Sequence, residues 1–205
     1  MKTDTIKPIL DKLIPHPKCP LNYEKDYELL LAVMLSAQTT DERVNQVTDV
    51  LFEYTLEDLA TMDLEKIEDI IKPVGMGKRK AQYVKSIAIS LLKDRDGHVP
   101  HDRAYVENLS GVGHKTCNVV FSELFKEPSL AVDTHVTRVS KRLGLVSETD
   151  NVEEIEKKLC AYFDKDDWRE VHVQLVLFGR HLCKAIKPLC EDCPFKNSEC
   201  KKSRI

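Results

Sequence analysis

One stretch decides the fold: Leu109-Ser110-Gly111-Val112-Gly113-His114-Lys115-Thr116. Two glycines interrupt two runs whose apolar residues recur with helical spacing, so the stretch predicts a tight turn between two helices. The second helix would begin at about Gly113 or His114, with its first N–H groups pointing outward. Such an end attracts phosphate, and Lys115 adds a positive charge there. The stretch therefore predicts a phosphate-binding helical hairpin.

The rest of the chain also predicts helices. Apolar residues recur every three or four positions, no stretch sustains the two-residue alternation of a strand, and breaks fall at prolines and glycines. Asp41 is predicted to cap one helix, and the pairs Thr55/Asp58 and Asn151/Glu154 resemble capping boxes. The main predicted helices are Asp26–Leu35, Asp41–Phe52, Asp63–Ile71, Lys78–Leu92, His114–Leu124, Thr134–Leu143 and Trp168–His181. The predicted fold class is all-α.

A break at Glu127-Pro128 predicts two helical domains. The first covers residues 21–128 and contains the hairpin, at about 104–124. The second joins residues 1–20 to residues 129–205, because the N-terminal helix needs a packing partner. A cleft between two such bodies is the default place for a site.

Composition favours an ordinary globular protein, with 42% apolar and 32% charged residues in 205. No apolar run approaches the about 20 residues that span a membrane, and the charged start of the chain is not a signal segment, so we expect a cytoplasmic protein. A net charge of −3 counts against nucleic-acid binding. Basic residues are nevertheless concentrated at Lys78-Arg79-Lys80 and between Lys184 and Arg204. The first of these runs is predicted to contact a nucleic-acid backbone.

Four of the seven cysteines lie close together near the C-terminus, with the spacing C-x6-C-x2-C-x6-C. In a cytoplasmic chain such a cluster favours metal binding over disulfides. Structural zinc commonly uses two C-x2-C pairs, and only one is present, so the wide spacing favours a [4Fe–4S] cluster over zinc or no metal. The candidate ligands are Cys183, Cys190, Cys193 and Cys200.

Lys115 and Asp133 are the candidate catalytic residues. A lysine amine has a pKa of about 10.4 and attacks as a nucleophile only after losing its proton. A helix N-terminus, neighbouring positive charges and desolvation would all lower that pKa. Asp133 would raise it, so its expected task is to stabilise a cationic sugar or to accept a proton. An N-cap at the start of the next helix is the alternative role of Asp133.

Together these motifs resemble the endonuclease III family, which are helix-hairpin-helix DNA glycosylases with an iron–sulfur cluster. The resemblance covers most of the chain in order. It includes Leu35–Asp41, Val74-Gly75-Met76 followed by Lys80-Ala81, Val99-Pro100, Leu109–Thr116, Val132–His135 and Phe178-Gly179-Arg180 followed by the cysteines. The implied fold is a barrel-like helical domain of six helices with the hairpin, beside an iron–sulfur cluster domain.

The resemblance implies a bifunctional DNA glycosylase and abasic-site lyase acting on oxidised or fragmented pyrimidines. Lys115 matches the nucleophile that attacks C1′, expels the base and forms a Schiff base, after which β-elimination nicks the strand. Asp133 matches the catalytic aspartate. Gln38 matches the residue that fills the gap left by the flipped nucleotide, and Met76 stands where the family usually has a leucine wedge. Further expected DNA contacts are Gly111, Gly113, His114, Lys187 and Lys196.

Several residues depart from the family's pattern. Ser110 replaces the usual proline of the hairpin, and His114 replaces an arginine, which would weaken a phosphate contact near neutral pH. The spacing between Cys193 and Cys200 is six residues, where five is more common. These changes leave Lys115 and Asp133 in place.

Two other functions remain open from the sequence. One is a monofunctional mismatch glycosylase that removes adenine or thymine; such enzymes lack the hairpin lysine. The other is a non-catalytic helix-hairpin-helix DNA-binding protein, which would not need Lys115, Asp133 and Gln38 together. The expected partner is double-stranded DNA with damaged pyrimidines or abasic sites, bound by a monomer that associates with the nucleoid and not with a membrane.

Overall fold

The computed structural model describes residues 3–196 and Cys200, and this part of the chain is helical without any β-strand. The predicted all-α class is confirmed. Short 3-10 turns cover Lys72–Val74 and Lys165–Asp167. The helices are α1 Thr3–Leu13, α2 Asp26–Leu35, α3 Asp41–Leu51, α4 Leu56–Thr61, α5 Leu64–Ile71, α6 Gly77–Arg95, α7 Arg103–Glu107, α8 His114–Leu124, α9 Thr134–Arg142, α10 Val152–Tyr162 and α11 Trp168–His181.

The chain divides into two compact units. The hairpin unit is Cys19–Phe125 and contains α2 to α8. The terminal unit combines Met1–Lys18 with Lys126–Ile205, and its described helices are α1 and α9 to α11.

The hairpin unit is built around α2, whose residues Tyr27–Leu35 are all buried. A helix that is apolar on every side must lie inside its domain. Helix α2 packs against α3 and α8, while α6 packs against α4 and α5. Gln38 follows the end of α2, and Lys115 lies at the start of α8. Both positions are therefore supported by the same hydrophobic core.

In the terminal unit, α11 packs against α9 and α1. Ile6 and Leu10 of α1 are fully buried in the core of this unit. The amide Nε2 of Gln174 donates to Asp11 Oδ1 at 2.9 Å and to Ile14 O at 3.2 Å. The N-terminal helix is thus fixed to α11 by apolar packing and by hydrogen bonds.

Helix caps follow the predicted chemistry with one exception. Thr55/Asp58 and Asn151/Glu154 both form capping boxes. The predicted cap at Asp41 is wrong, because Asp41 is already helical. The N-cap is Thr40, whose side chain accepts a long hydrogen bond of 3.4 Å from Arg43 N.

Among the helices of the described residues, none is both long enough and apolar enough to cross a membrane.

Candidate active site

The hairpin joins α7 to α8 through a turn that needs a glycine at Gly111. The residue has φ +79°, a conformation that costs little only for glycine. A Cβ there would lie 2.3 Å from Cδ2 of Tyr83, so α6 and the hairpin could not stay in their places. Ser110 Oγ also lies 3.0 Å from Ser86 Oγ on α6. The hairpin is therefore held against α6 at two adjacent residues of the turn, Ser110 and Gly111.

Gly113 differs from Gly111 in its backbone conformation. It is the N-cap of α8 with φ −108°, which any residue can adopt, and no atom lies within 4 Å of a Cβ built there. Gly113 has no side chain, so the start of α8 has no side-chain cap hydrogen bond from its N-cap residue. The start of α8 is open to an anion.

Lys115 lies in this first turn with its side chain exposed. Among the described residues, the ammonium group of Lys115 forms no hydrogen bond and no ion pair. An exposed ammonium without a partner contributes little to the stability of the folded protein. The structure therefore leaves Lys115 available for chemistry.

His114 takes part in a network on the surface of the hairpin. Its Nδ1 lies 3.2 Å from Glu107 Oε1, and its Nε2 lies 3.1 Å from Asn118 Nδ2. Arg103 Nη1 donates to Asn118 Oδ1 at 2.8 Å, which assigns the amide so that Nδ2 faces the histidine. Both ring nitrogens of His114 therefore have partners within the hairpin itself.

Gln38 and Met76 lie in two loops of the hairpin unit and share an unusual backbone. Both are non-glycine residues in the left-handed region, with φ 62° and φ 52°. Gln38 is exposed, and Met76 is 48% exposed. Such conformations persist only where the surroundings fix them.

Lys80 is the residue that sequence reasoning missed. We interpreted the basic run Lys78-Arg79-Lys80 as a contact to the nucleic-acid backbone, but Lys80 is 2% exposed. Its ammonium donates to Leu35 O at 2.8 Å, Ala37 O at 2.8 Å and Val74 O at 3.0 Å. Burial lowers the pKa of Lys80. A signal was present in the sequence, since Lys80 continues the buried stripe of α6 that includes Val84 and Ile87.

Asp133 lies at the start of α9 in the terminal unit, half-buried. Its Oδ1 accepts a hydrogen bond of 2.7 Å from Val136 N, so the alternative role as an N-cap is present. Among the described residues, no donor is bonded to Oδ2. One carboxylate oxygen stabilises the helix, and the other is available to a ligand.

The four candidate cysteine ligands line one cavity in the terminal unit. Cys183 and Cys200 are buried there, and Phe195 packs edge-on against Phe178 beside them. Burial raises the pKa of the Cys193 thiol, and the charges of Cys200, Cys183 and Cys190 raise it further. Arg142 fixes the backbone at this point, donating to Cys183 O at 3.3 Å and to Lys184 O at 2.7 Å.

Within residues 3–196 and Cys200, no three ligand-type side chains are close enough to hold a single metal ion. The four cysteines that line the cavity are the donor type that both zinc and iron–sulfur clusters use. Residues 197–199, in the longer loop before Cys200, lie outside the described residues.

Lys187 and Lys196 are both exposed near this cavity. Lys187 has a left-handed backbone with φ 50°. Lys196 forms an ion pair with Glu191, so part of its charge is already compensated. Their predicted role in DNA binding stays a prediction.

The sequence matches a family model described as "HhH-GPD superfamily base excision DNA repair protein" over residues 31–165. The chain is 44% identical over 190 residues to endonuclease III of Bacillus subtilis, covering 90% of this chain and 87% of the relative. It is 40% identical over 181 residues to endonuclease III of Escherichia coli K12, covering 87% and 85%.

Solved structures give the same result. The fold matches a trapped endonuclease III–DNA covalent intermediate with a TM-score of 0.93 and 40% identity, over 100% of this chain and 98% of that one. A thermostable thymine-DNA glycosylase matches with a TM-score of 0.83 at 23% identity, a likeness of fold alone. The fold and the matched region thus define a helix-hairpin-helix DNA repair enzyme. The chain belongs to the endonuclease III family, whose members are DNA glycosylases and abasic-site lyases.

Proposed function

We propose that this enzyme removes oxidised or fragmented pyrimidines from double-stranded DNA as a monomer, and that Lys115 is its nucleophile. The exposed, unpaired Lys115 at an uncapped helix start carries this proposal. The likeness to a covalent endonuclease III–DNA intermediate supports it, because a covalent intermediate requires a nucleophilic side chain.

The proposed chemistry begins with the unprotonated amine of Lys115. The amine attacks C1′, the bond from C1′ to the base breaks, and the base leaves with the bonding electrons and takes a proton. Opening of the sugar ring gives an imine between the lysine and C1′. Loss of a proton from C2′ then expels the 3′ phosphate, and water releases the enzyme.

Asp133 is proposed to stabilise the positive charge that develops on the sugar. Its Oδ1 is committed to Val136 N, so Oδ2 is the oxygen proposed to act. The open start of α8 is proposed to bind a backbone phosphate through its N–H groups, with Gly113 leaving space for close approach.

Gln38 and Met76 are proposed to enter the DNA when the damaged nucleotide is flipped out. Base flipping costs a few kcal/mol, so side chains that fill the vacated space lower its cost. Both residues are exposed on fixed loops, which suits insertion.

The cysteines are proposed to hold a [4Fe–4S] cluster, as the resemblance implies and as four thiols around one cavity favour. The cluster would stabilise the Cys183–Cys200 segment and supply no redox step to base excision. Lys187 and Lys196 of that segment are proposed to contact phosphate.

Borohydride trapping tests this function. The enzyme is incubated with duplex DNA containing an oxidised pyrimidine or an abasic site, and borohydride reduces any imine to a stable covalent adduct. We expect an adduct with both substrates from the wild type and none from Lys115→Ala. Absence of an adduct with every lesion would contradict the proposal and favour a monofunctional or non-catalytic protein.

A further inference from the structure

Lys80 lies beneath both loops that carry the proposed DNA-inserting residues. Its three N–H protons meet three carbonyl oxygens, at Leu35, Ala37 and Val74. An ammonium has three donors and no acceptor, so this geometry satisfies the group fully. No carboxylate in the described part of the chain pairs with this ammonium, and the carbonyl dipoles face its positive charge.

The first two carbonyls fix the loop of Gln38. Leu35 is the last residue of α2, where the helix dipole is negative and its carbonyls lack intrahelical partners. Ala37 O belongs to the peptide plane that ends at the nitrogen of Gln38. Fixing that plane fixes one side of the bond about which φ of Gln38 turns. The hydrogen bond from Lys80 to Ala37 O thus opposes relaxation of Gln38 out of its left-handed conformation.

The third carbonyl fixes the loop of Met76. Val74 ends the 3-10 turn, and Gly75 with φ 71° leads directly to Met76. The backbone N–H of Lys80 also donates to Met76 O at 3.0 Å. Lys80 therefore holds the Met76 loop from its side chain and from its backbone.

We propose that Lys80 is a positioning residue for DNA insertion, which holds Gln38 and Met76 together in strained, exposed conformations through the carbonyls of Leu35, Ala37 and Val74. The proposal rests on the proposed function, because insertion matters only if a nucleotide is flipped. An exposed lysine could not do this, since water would compete for the same three carbonyls. Burying a cation is costly, and structural stability alone would be served as well by an apolar side chain.

The variant Lys80→Met tests the proposal because methionine fills the buried space and removes all three donors. Under single-turnover conditions, we expect excision of a damaged base to slow by about tenfold or more relative to strand cleavage at a preformed abasic site. An abasic nucleotide has no base to unstack, so its cleavage depends less on insertion. A general loss of folded enzyme would lower both rates together and leave their ratio unchanged.

Lys85→Met is the matched control. Lys85 lies on the same helix and also donates to a backbone carbonyl, Met62 O at 2.7 Å, but this carbonyl belongs to neither inserting loop. We expect the control to keep the wild-type ratio of excision to cleavage. Equal ratios in the Lys80 and Lys85 variants would overturn the proposal. If Lys80→Met does not fold, Lys80→Gln is measured instead, because two N–H donors cannot satisfy three carbonyls. We expect it to lower the ratio of excision to cleavage, and a wild-type ratio in this variant would overturn the proposal.

Fluorescence gives a second readout without chemistry. 2-Aminopurine is placed next to the lesion, and enzyme carrying Lys115→Gln is added, so that unstacking is measured without cleavage. We expect the fluorescence rise to be reduced when Lys80→Met is added to this variant and retained with Lys85→Met. A full rise with Lys80→Met would overturn the proposal.

Combining substitutions shows whether Lys80 acts on excision through Gln38 and Met76. If Lys80 acts through the inserting residues, Lys80→Met should cost little further excision in an enzyme that already carries Gln38→Ala and Met76→Ala. Fully additive losses would overturn the proposal. An adduct-forming wild type with additive losses would reject the role of Lys80 alone, whereas a wild type without any adduct would reject the proposed function.

Discussion

Asp133 Oδ1 accepts a hydrogen bond from the backbone N–H of Val136 at 2.7 Å and thereby caps α9. The same carboxylate is the proposed catalytic group. The cap restrains the side chain, because it fixes one oxygen at the start of the helix. A structural role and a chemical role thus coexist in one residue, and they can be separated by substitution.

Asp133→Asn and Asp133→Ala make that separation. Asparagine keeps an oxygen for Val136 N and loses the charge, so we expect the stability to be nearly unchanged while excision is lost. Alanine removes the cap as well, which should lower the free energy of unfolding by about 1 kcal/mol. Urea unfolding and single-turnover excision measure the two effects. Wild-type excision by Asp133→Asn would show that the charge is not needed.

Gly111→Ala and Gly113→Ala form a matched pair in the hairpin. Alanine at Gly111 meets both the positive φ and the Tyr83 ring, so we expect the free energy of unfolding to fall by at least about 1 kcal/mol. Alanine at Gly113 meets neither and should leave stability within about 0.5 kcal/mol of the wild type. Its methyl group should instead weaken DNA binding. Thermal unfolding and DNA titration check the pair, and equal destabilisation would contradict this account of the turn.

Stability should depend on pH through His135. Burial lowers the pKa of His135, and Arg138 Nη2 lies 3.1 Å from its Nδ1, which must therefore accept. The folded protein then binds fewer protons than the unfolded chain, whose histidine pKa is about 6.5. Stability should be fully present above this pH and fall as the pH drops below it. Urea unfolding from pH 8 to pH 5.5 measures the slope, which His135→Gln should reduce; an unchanged slope would contradict the assignment.

Cysteine variants test whether the four C-terminal cysteines hold an iron–sulfur cluster. We expect the purified protein to be brown and to contain equal amounts of iron and inorganic sulfide, and Cys183→Ala or Cys200→Ala to lose both. Cys160 is the control, since burial raises its pKa to about 11 and it lies outside the cavity. Cys160→Ala should keep the full iron content. A colourless protein with one zinc would contradict the cluster.

Local patterns in the sequence were enough to predict most of the helices. The bounds of α8 and α11 agree with the apolar periodicity, and the capping boxes need only residues three apart. The hairpin glycine at Gly111 could be predicted from turn chemistry, although its contact with Tyr83 could not, because that contact joins distant segments.

The role of Lys80 was beyond local reasoning for the same physical reason. Its three partners belong to two loops that the fold brings together, and two of them lie more than forty residues away in the chain. Its helical spacing with Val84 and Ile87 indicated burial, but a charged residue in a basic run is usually solvated, so that signal was outweighed. The network of His114 also depends on the neighbouring helix, which supplies Glu107 and Arg103.

The central claim is that Lys115 forms the covalent bond to DNA, and the most direct test is the identity of the modified residue. The borohydride-reduced adduct with abasic-site DNA is digested with nuclease and protease and analysed by mass spectrometry. We predict that the added sugar mass lies on the amine of Lys115. Modification of another residue, or an adduct that persists in Lys115→Ala, would contradict the claim.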